Sequence, residues 1–274
     1  MRACPRFVRI ALSALLASAA LGAQAPAPRP APPASRPPAS AVAKPRTERV
    51  VPFAVGETLT YDIGWAGFLT AGTATVAVRE KKPSYGSTAY YITAEGQPVS
   101  FVAKLYPLYY KVDTLVDAYS LLPQRASIFS NENGHEKLRT TLFDQRKRTA
   151  TYEVRSTTTT TRTLRLPAEA LDALSAIYVM RTLPLAAGST LDFPVVDSGE
   201  LLRLRVTVAG KEALSTAAGT TATWRIEPAI FDAQGQPTST RKVAVWLTDD
   251  ARRTPVKMSA DTDFGTFSFV LRNR

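Results

Sequence analysis

The chain has 274 residues, 45% hydrophobic and 21% charged, with one cysteine, one histidine and a formal net charge of +11. A single cysteine excludes an intrachain disulfide framework, and one His with one Cys excludes zinc sites built from those ligands. Residues 1–50 hold eight Lys/Arg against one acid, which leaves 26 basic and 22 acidic residues in 51–274, a net of +4. A mild excess without a concentrated basic stripe argues against nucleic acid as a partner.

The first 25 residues read as a secretory signal peptide. Arg2, Arg6 and Arg9 precede an apolar run from Ile10 to Leu21, and Ala23-Gln24-Ala25 supplies a small-x-small cleavage pattern, with the cut expected after Ala25. The run is shorter than the ~20 residues of a transmembrane helix. Cys4 lies before it, so a lipidated cysteine is not indicated, and cleavage removes the only thiol. No later segment is apolar enough to span a bilayer. The expected location is the periplasm or the exterior, with no transmembrane segment after cleavage.

Residues 26–49 are rich in Pro and Ala, a composition that cannot bury enough apolar surface to order itself. They read as a disordered linker, or as an arm toward an envelope partner. A single β-rich domain is expected over residues 50–274. It opens with Gly56 to Val78, where Leu59, Tyr61, Ile63 and Trp65 alternate with Thr60, Asp62 and Gly64, the period of a strand. A second strand follows a bend placed at Ala66 to Gly72. Gly64, Gly67 and Gly72 fit bulges, bends or close strand approach; a phosphate-cradling loop would open a helix instead.

Strand patterns then recur at 88–94, 108–119, 124–130, 136–143, 148–155 and 158–166, with Asn131-Glu132-Asn133-Gly134 as a hairpin-type turn. One stretch breaks the rhythm: Leu171, Leu174, Ile177 or Tyr178, and Arg181 fall at helical spacing, Asp172 is a good N-cap and Pro184 ends the run. This is the one helix expected of the mature chain. Strands return at 190–196, 201–209, 220–230, 242–248, 255–261 and 264–271. About a dozen consecutive strands and one amphipathic helix predict an all-β, mainly antiparallel fold. The expected form is a strongly curled sheet or open barrel (half-barrel), with the helix packed on it or plugging one mouth.

Three stretches together resemble the domain-of-unknown-function family 3108, a group of exported bacterial proteins. They are Gly56-Glu57 through Tyr61 and Trp65 to Ala71-Gly72; Asp172, Leu174-Ser175, Tyr178 and Arg181-Thr182, continuing to Gly188; and Val245 to Asp250, Arg252 to Val256 and Phe264-Gly265. The resemblance spans residues 53–272. It implies no established activity, so no catalytic residues carry over. In its strand-turn-Pro-Val pattern the third stretch is also similar to the exported lipoprotein carriers of the Lol system, half-barrels that hold acyl chains. That likeness is one of fold, which does not decide function.

The chemistry-bearing residues point away from catalysis. His135 sits in a turn beside Gly134 and no Gly-x-Ser-x-Gly elbow occurs. Asp249-Asp250 with Asp261 and Asp263 offer oxygen ligands for a hard cation, but Asp249-Asp250 precedes Arg252-Arg253 in a turn pattern, and turn capping with ion pairing is preferred. Asp113 and Asp117 share a strand face, the minimum for a glycan-directed acid pair. No cofactor, metal or catalytic residue is expected. Aromatics offer a different clue: on a filled concave face most of them would be ordinary core, the preferred reading for most, but in an open curled sheet they would line an apolar groove. The leading expectation is a non-enzymatic binder of a lipid or lipoprotein acyl chain, with Trp65, Tyr110, Tyr178 and Trp246 as wall residues and Arg181 as a polar anchor at the mouth. An envelope-assembly module that holds protein partners through sheet edges and the Pro-rich arm is the alternative, and a glycan-directed enzyme the third.

Overall fold

The computed structural model describes residues 46–272 apart from residues 68, 217–218, 240–241 and 263–264. The expected signal peptide, nearly all of the linker, Phe68, Asp263 and Phe264 lie outside the described residues. In chain order the elements are β1 (Thr58–Trp65), β2 (Leu69–Ser84), β3 (Ser87–Pro98), α1 (Ser100–Leu105), β4 (Leu108–Asp117), β5 (Pro123–Glu132), β6 (His135–Asp144), β7 (Thr149–Arg155) and β8 (Thr159–Arg165). There follow α2 (Ala173–Met180), β9 (Thr190–Asp197), β10 (Glu200–Thr216), β11 (Gly219–Phe231), β12 (Val243–Thr248), β13 (Pro255–Thr262) and β14 (Gly265–Leu271).

All fourteen strands form one antiparallel sheet in the order β8-β7-β6-β5-β4-β3-β2-β1-β14-β13-β12-β11-β10-β9. Every neighbour is a sequence neighbour except β1 and β14, which pair with Tyr61 opposite Leu271 and Trp65 opposite Phe267. The first and last strands therefore meet in mid-sheet. The two edges, β8 and β9, are consecutive in the chain, and the segment that links them carries α2.

That helix explains the curl. Its sequence, ALSAIYVM, is apolar nearly all round, the pattern of a helix covered on more than one side. Leu174 and Tyr178 pack with Val78, Tyr90, Ile92 and Val116 from one half of the sheet. Ala176 and Met180 pack with Val195, Val206, Ile226, Val245 and Leu247 from the other half. A flat sheet cannot cover both faces of one helix, so the halves fold around it. Asp172 starts α2 with a capping box: its carboxylate accepts from the N–H groups of Leu174 and Ser175, and the Ser175 hydroxyl accepts from the Asp172 N–H.

The curled sheet is not closed by a hydrogen-bonded ladder, yet its ends approach. Leu171 bridges Val195, and Leu166, Ala170 and Val196 pack on Ala126, Phe143 and Ala150 of β5, β6 and β7. The β9–β10 turn lies against Tyr152 so tightly that a Cβ on Gly199 would fall 2.4 Å from the ring.

Two expectations need correction. The described residues hold a second helix, α1, where one helix was expected; its six residues span under two turns, too few for a helical period to show. The first bend is also shorter than Ala66–Gly72, since Trp65 already pairs with Leu69, and the irregularity is absorbed by a register shift between Ile63 and Gly64. There Gly72 serves close strand approach: a Cβ on it would lie 2.6 Å from the Gln97 carbonyl oxygen.

Candidate functional site

Side chains directly opposite in an antiparallel pair share a face, so the register shows how the interior narrows and widens. Where α2 fills it, β2 and β3 present Val78 opposite Ile92. Moving away from the helix the pairs shrink to Val76 with Ala94, Ala74 with Gly96, and Gly72 with Pro98. On β4 the same rows continue as Val112 opposite Ala94 and Tyr110 opposite Gly96. Phe269 opposite Ile63, with Phe267 two residues on, forms the facing wall. Small side chains on β2 and β3 leave a hollow of about 400 Å³ that no residue of α2 lines. Val102 of α1 and the helix's C-cap residue, Tyr106, border it.

The lining is apolar apart from Glu95 and Gln97. Glu95 alternates with Ala94 and Gly96, so its side chain projects to the opposite face. There it meets Lys111 at 3.3 Å, Arg79 at 3.5 Å and the Tyr109 hydroxyl at 3.3 Å. The hydrogen bond that the Lys111 ammonium donates to Glu95 holds its pKa above the ordinary value. The hollow itself thus offers apolar surface without a charged side chain pointing in, and its size falls within the ~300–1,000 Å³ of ligand clefts.

Of the five residues expected to form the site, Tyr110 lines this hollow. Trp65 stands at the same end of β1, opposite Phe267, and is 36% exposed. Trp246 is opposite both Arg225 and Lys257 and shares their face, whereas its neighbour Val245 packs toward α2. Its indole N–H donates to Glu212, and the Lys257 ammonium lies 4.9 Å from the ring centre. Tyr178 and Arg181 are buried at the filled end rather than at a mouth. The residues that carve the hollow, Ala74, Ala94 and Gly96, are small, and their sequence signal is the loss of bulk at alternate positions of two strands.

The filled end is locked by polar contacts. Arg181, wholly buried, makes a two-point ion pair with Glu57 at 2.6 and 2.8 Å and donates to the Arg252 carbonyl at 3.1 Å. The Tyr61 hydroxyl donates to the Pro255 carbonyl at 2.7 Å. Burial raises the pKa of both Tyr61 and Tyr178, keeping the phenols neutral. Phe53 meets Tyr178 edge-on at 4.8 Å. The three stretches that carry the family resemblance converge here, through Glu57 and Tyr61, Tyr178 and Arg181, and the Arg252 and Pro255 carbonyls.

The remaining carboxylates are engaged locally. Asp113 pairs with Arg125 at 2.5 Å. Burial pushes the Asp117 carboxyl up, but bonds from Ser87, from the Ser120 and Tyr119 N–H groups and from the Ser120 hydroxyl outweigh it and hold the pKa low. Asp249 accepts from the Trp224 indole and pairs with Lys211, while Asp250 accepts from the Arg252 and Arg253 N–H groups. Among the described residues no three His, Cys, Asp or Glu side chains gather as metal ligands, and no helix is long and apolar enough to cross a membrane.

A family model described as protein of unknown function, DUF3108, matches residues 60–272. The chain belongs to the DUF3108 family. DUF3108 thus includes the wall strands of the hollow and all but Phe53 and Glu57 of the residues named in the lock. No curated protein matches the chain. Among solved structures it is similar to a β-barrel-like protein of the domain of unknown function DUF1849 from Brucella abortus, with 12% identity and a TM-score of 0.51. That match covers 79% of this chain and 95% of the other. A protein from Bacteroides fragilis described as exported with a YmcC-like fold matches at 12% identity and TM-score 0.32, over 83% and 99% of the two chains. One from Parabacteroides distasonis described as a lipoprotein matches at 10% identity and TM-score 0.33, over 83% and 99%. Only the first exceeds a TM-score of 0.5, and at its identity it speaks to a shared β-barrel-like fold alone.

Proposed function

We propose that this DUF3108 protein is a non-enzymatic, exported protein that holds an apolar or amphipathic envelope ligand, a lipid or lipoprotein acyl chain, in the hollow between β1–β4 and β14. The observation that carries the reading is the hollow itself: about 400 Å³ beside Tyr110, Val112, Phe267 and Phe269, left where the β2–β3 pairs shrink to Ala74 and Gly96. Filling such a space with hydrocarbon gains about 0.8 kcal/mol per buried methylene, and no inward charge opposes it. The leader read from residues 1–25 supports an extracytoplasmic setting.

Two measurements on the protein lacking residues 1–25 test the reading. Native mass spectrometry followed by organic extraction should recover lipid, and a fluorescent fatty acid should bind and be displaced by unlabelled fatty acid. Gly96→Leu, which places a side chain into the hollow, should abolish that binding with the fold retained. A clean apo mass together with no fatty-acid binding would overturn the proposal.

One observation favours a second reading, an interaction module. Strand β8 pairs only with β7 among the described residues, and Thr159–Thr163 are exposed, so a strand edge stands open to an extended partner. Crosslinked partners that vanish when Thr161 is replaced by Pro, with lipid binding unchanged, would support that reading over the first.

A further inference from the structure

Three features stand apart from the core of the fold: a polar cleft around Asp117 and Gln145, a cleft beside Asp192 and Arg203, and α1. Only α1 joins an exposed apolar surface to the hollow. Val102 of α1 and the residue that caps the helix, Tyr106, border the hollow. Phe101 and Leu105 form the adjoining face and are 53% and 84% exposed. The helix buries none of its residues, has no side-chain N-cap and carries Lys104 in its last turn.

We infer that the Phe101–Leu105 face of α1 is a bilayer-contact surface, through which an acyl chain passes between a membrane and the hollow. The inference rests on the hollow being an acyl-chain site. A lipid interface is the occupant that fits. Two side chains on a six-residue helix fall far short of the ~800 Å² per partner of a specific protein interface, whereas a fluid headgroup layer needs no shape match. Phe and Leu beside a Lys is the composition of interfacial helices, with the ammonium at the level of anionic head groups. Continuity supplies the route: an acyl chain leaving the bilayer along Phe101 and Leu105 reaches Val102 and Tyr106 by crossing one helix, without entering water.

The test uses the protein without residues 1–25 and vesicles of phosphatidylethanolamine with phosphatidylglycerol. Cosedimentation with the vesicles should weaken by about tenfold or more in Phe101→Ser/Leu105→Ser, because two apolar side chains lose their burial. Both residues are exposed, so the melting temperature should hold. Binding of a fluorescent fatty acid without vesicles should also be retained, while its uptake from vesicles slows. Gly96→Leu should do the reverse, keeping vesicle binding and losing the fatty acid. Vesicle binding that is absent in the wild type, or unchanged in the double variant, overturns the inference, as does a loss explained by dissolution of a dimer. Failure of the hollow alone would show as no fatty-acid binding in any variant, whatever the vesicle result.

Discussion

Arg181 and Glu57 stand 124 positions apart and meet in a two-point ion pair at 2.6 and 2.8 Å. The guanidinium ties the end of α2 to the segment that precedes β1, and by its bond to the Arg252 carbonyl also to the β12–β13 turn. Removing one member strands a buried charge, which costs roughly 3–5 kcal/mol. Arg181→Ala should therefore lower the melting temperature by on the order of 10 °C in a domain of this size. Arg181→Lys should recover only part, since an ammonium cannot serve two carboxylate oxygens and a carbonyl in one plane. Scanning calorimetry of the two variants checks both statements.

Tyr61 and Tyr178, both buried at the filled end, should behave oppositely. The Tyr61 hydroxyl has the Pro255 carbonyl as acceptor, so Tyr61→Phe leaves a buried carbonyl short of a bond and should destabilise by about 1–2 kcal/mol. The Tyr178 hydroxyl is buried with no hydrogen-bond partner among the described residues. Tyr178→Phe keeps the ring against Phe53 and removes an uncompensated polar atom, so it should be neutral or stabilising. Urea titration, with equal m-values, reads the difference.

Burial raises the pKa of Asp172, and bonds from Ser175, Thr114 and the Leu174 N–H only partly oppose it. The folded state thus favours the protonated acid. Its contribution is complete below the ordinary carboxyl value of about 3.9 and declines as pH rises through the elevated folded value. Asp172→Asn keeps the cap without a charge to bury. Its melting temperature relative to the wild type should rise between about pH 4 and pH 7. Asp172→Ala loses the cap and should cost at least about 1 kcal/mol at either pH.

Gly96 and Gly72 both face the hollow region, but only one has room. A Cβ at Gly96 meets the Thr73 carbonyl oxygen at 3.9 Å, an ordinary contact; at Gly72 it would meet the Gln97 carbonyl oxygen at 2.6 Å. Gly96→Leu should leave the melting temperature within a few degrees, roughly the effect of under 1 kcal/mol. Gly72→Ala must move backbone and should cost about 1–3 kcal/mol.

The sheet was legible because its strands are half-buried and alternate, and because turns such as Asn133-Gly134 require positive φ. Helix α2 was legible through Asp172 and Pro184, whereas α1 is too short to show a period. The site was harder to read for a physical reason. Bulky aromatics mark filled core as readily as the wall of a cavity: Tyr178 fills the lock. The hollow exists where bulk is missing, at Ala74, Ala94 and Gly96, and that reads as an absence only once β2 and β3 are in register. Trp246 alternates with Val245 and Leu247, which both pack toward α2, but which of the two sets faces inward shows only once the sheet curls around the helix.

The adjacency of β1 and β14 bears on how the protein can be made. Each half-sheet is a run of neighbouring hairpins that can form as the chain emerges. The seam between them joins strands at opposite ends of the domain, a loop closure of high entropic cost that comes late. A chain emerging from its N-terminus cannot assemble the wall holding Ile63 and Phe269 until β14 has followed. A stall or clip just short of that strand would leave two half-sheets with their apolar seam bare, a substrate for proteases rather than a partly formed domain.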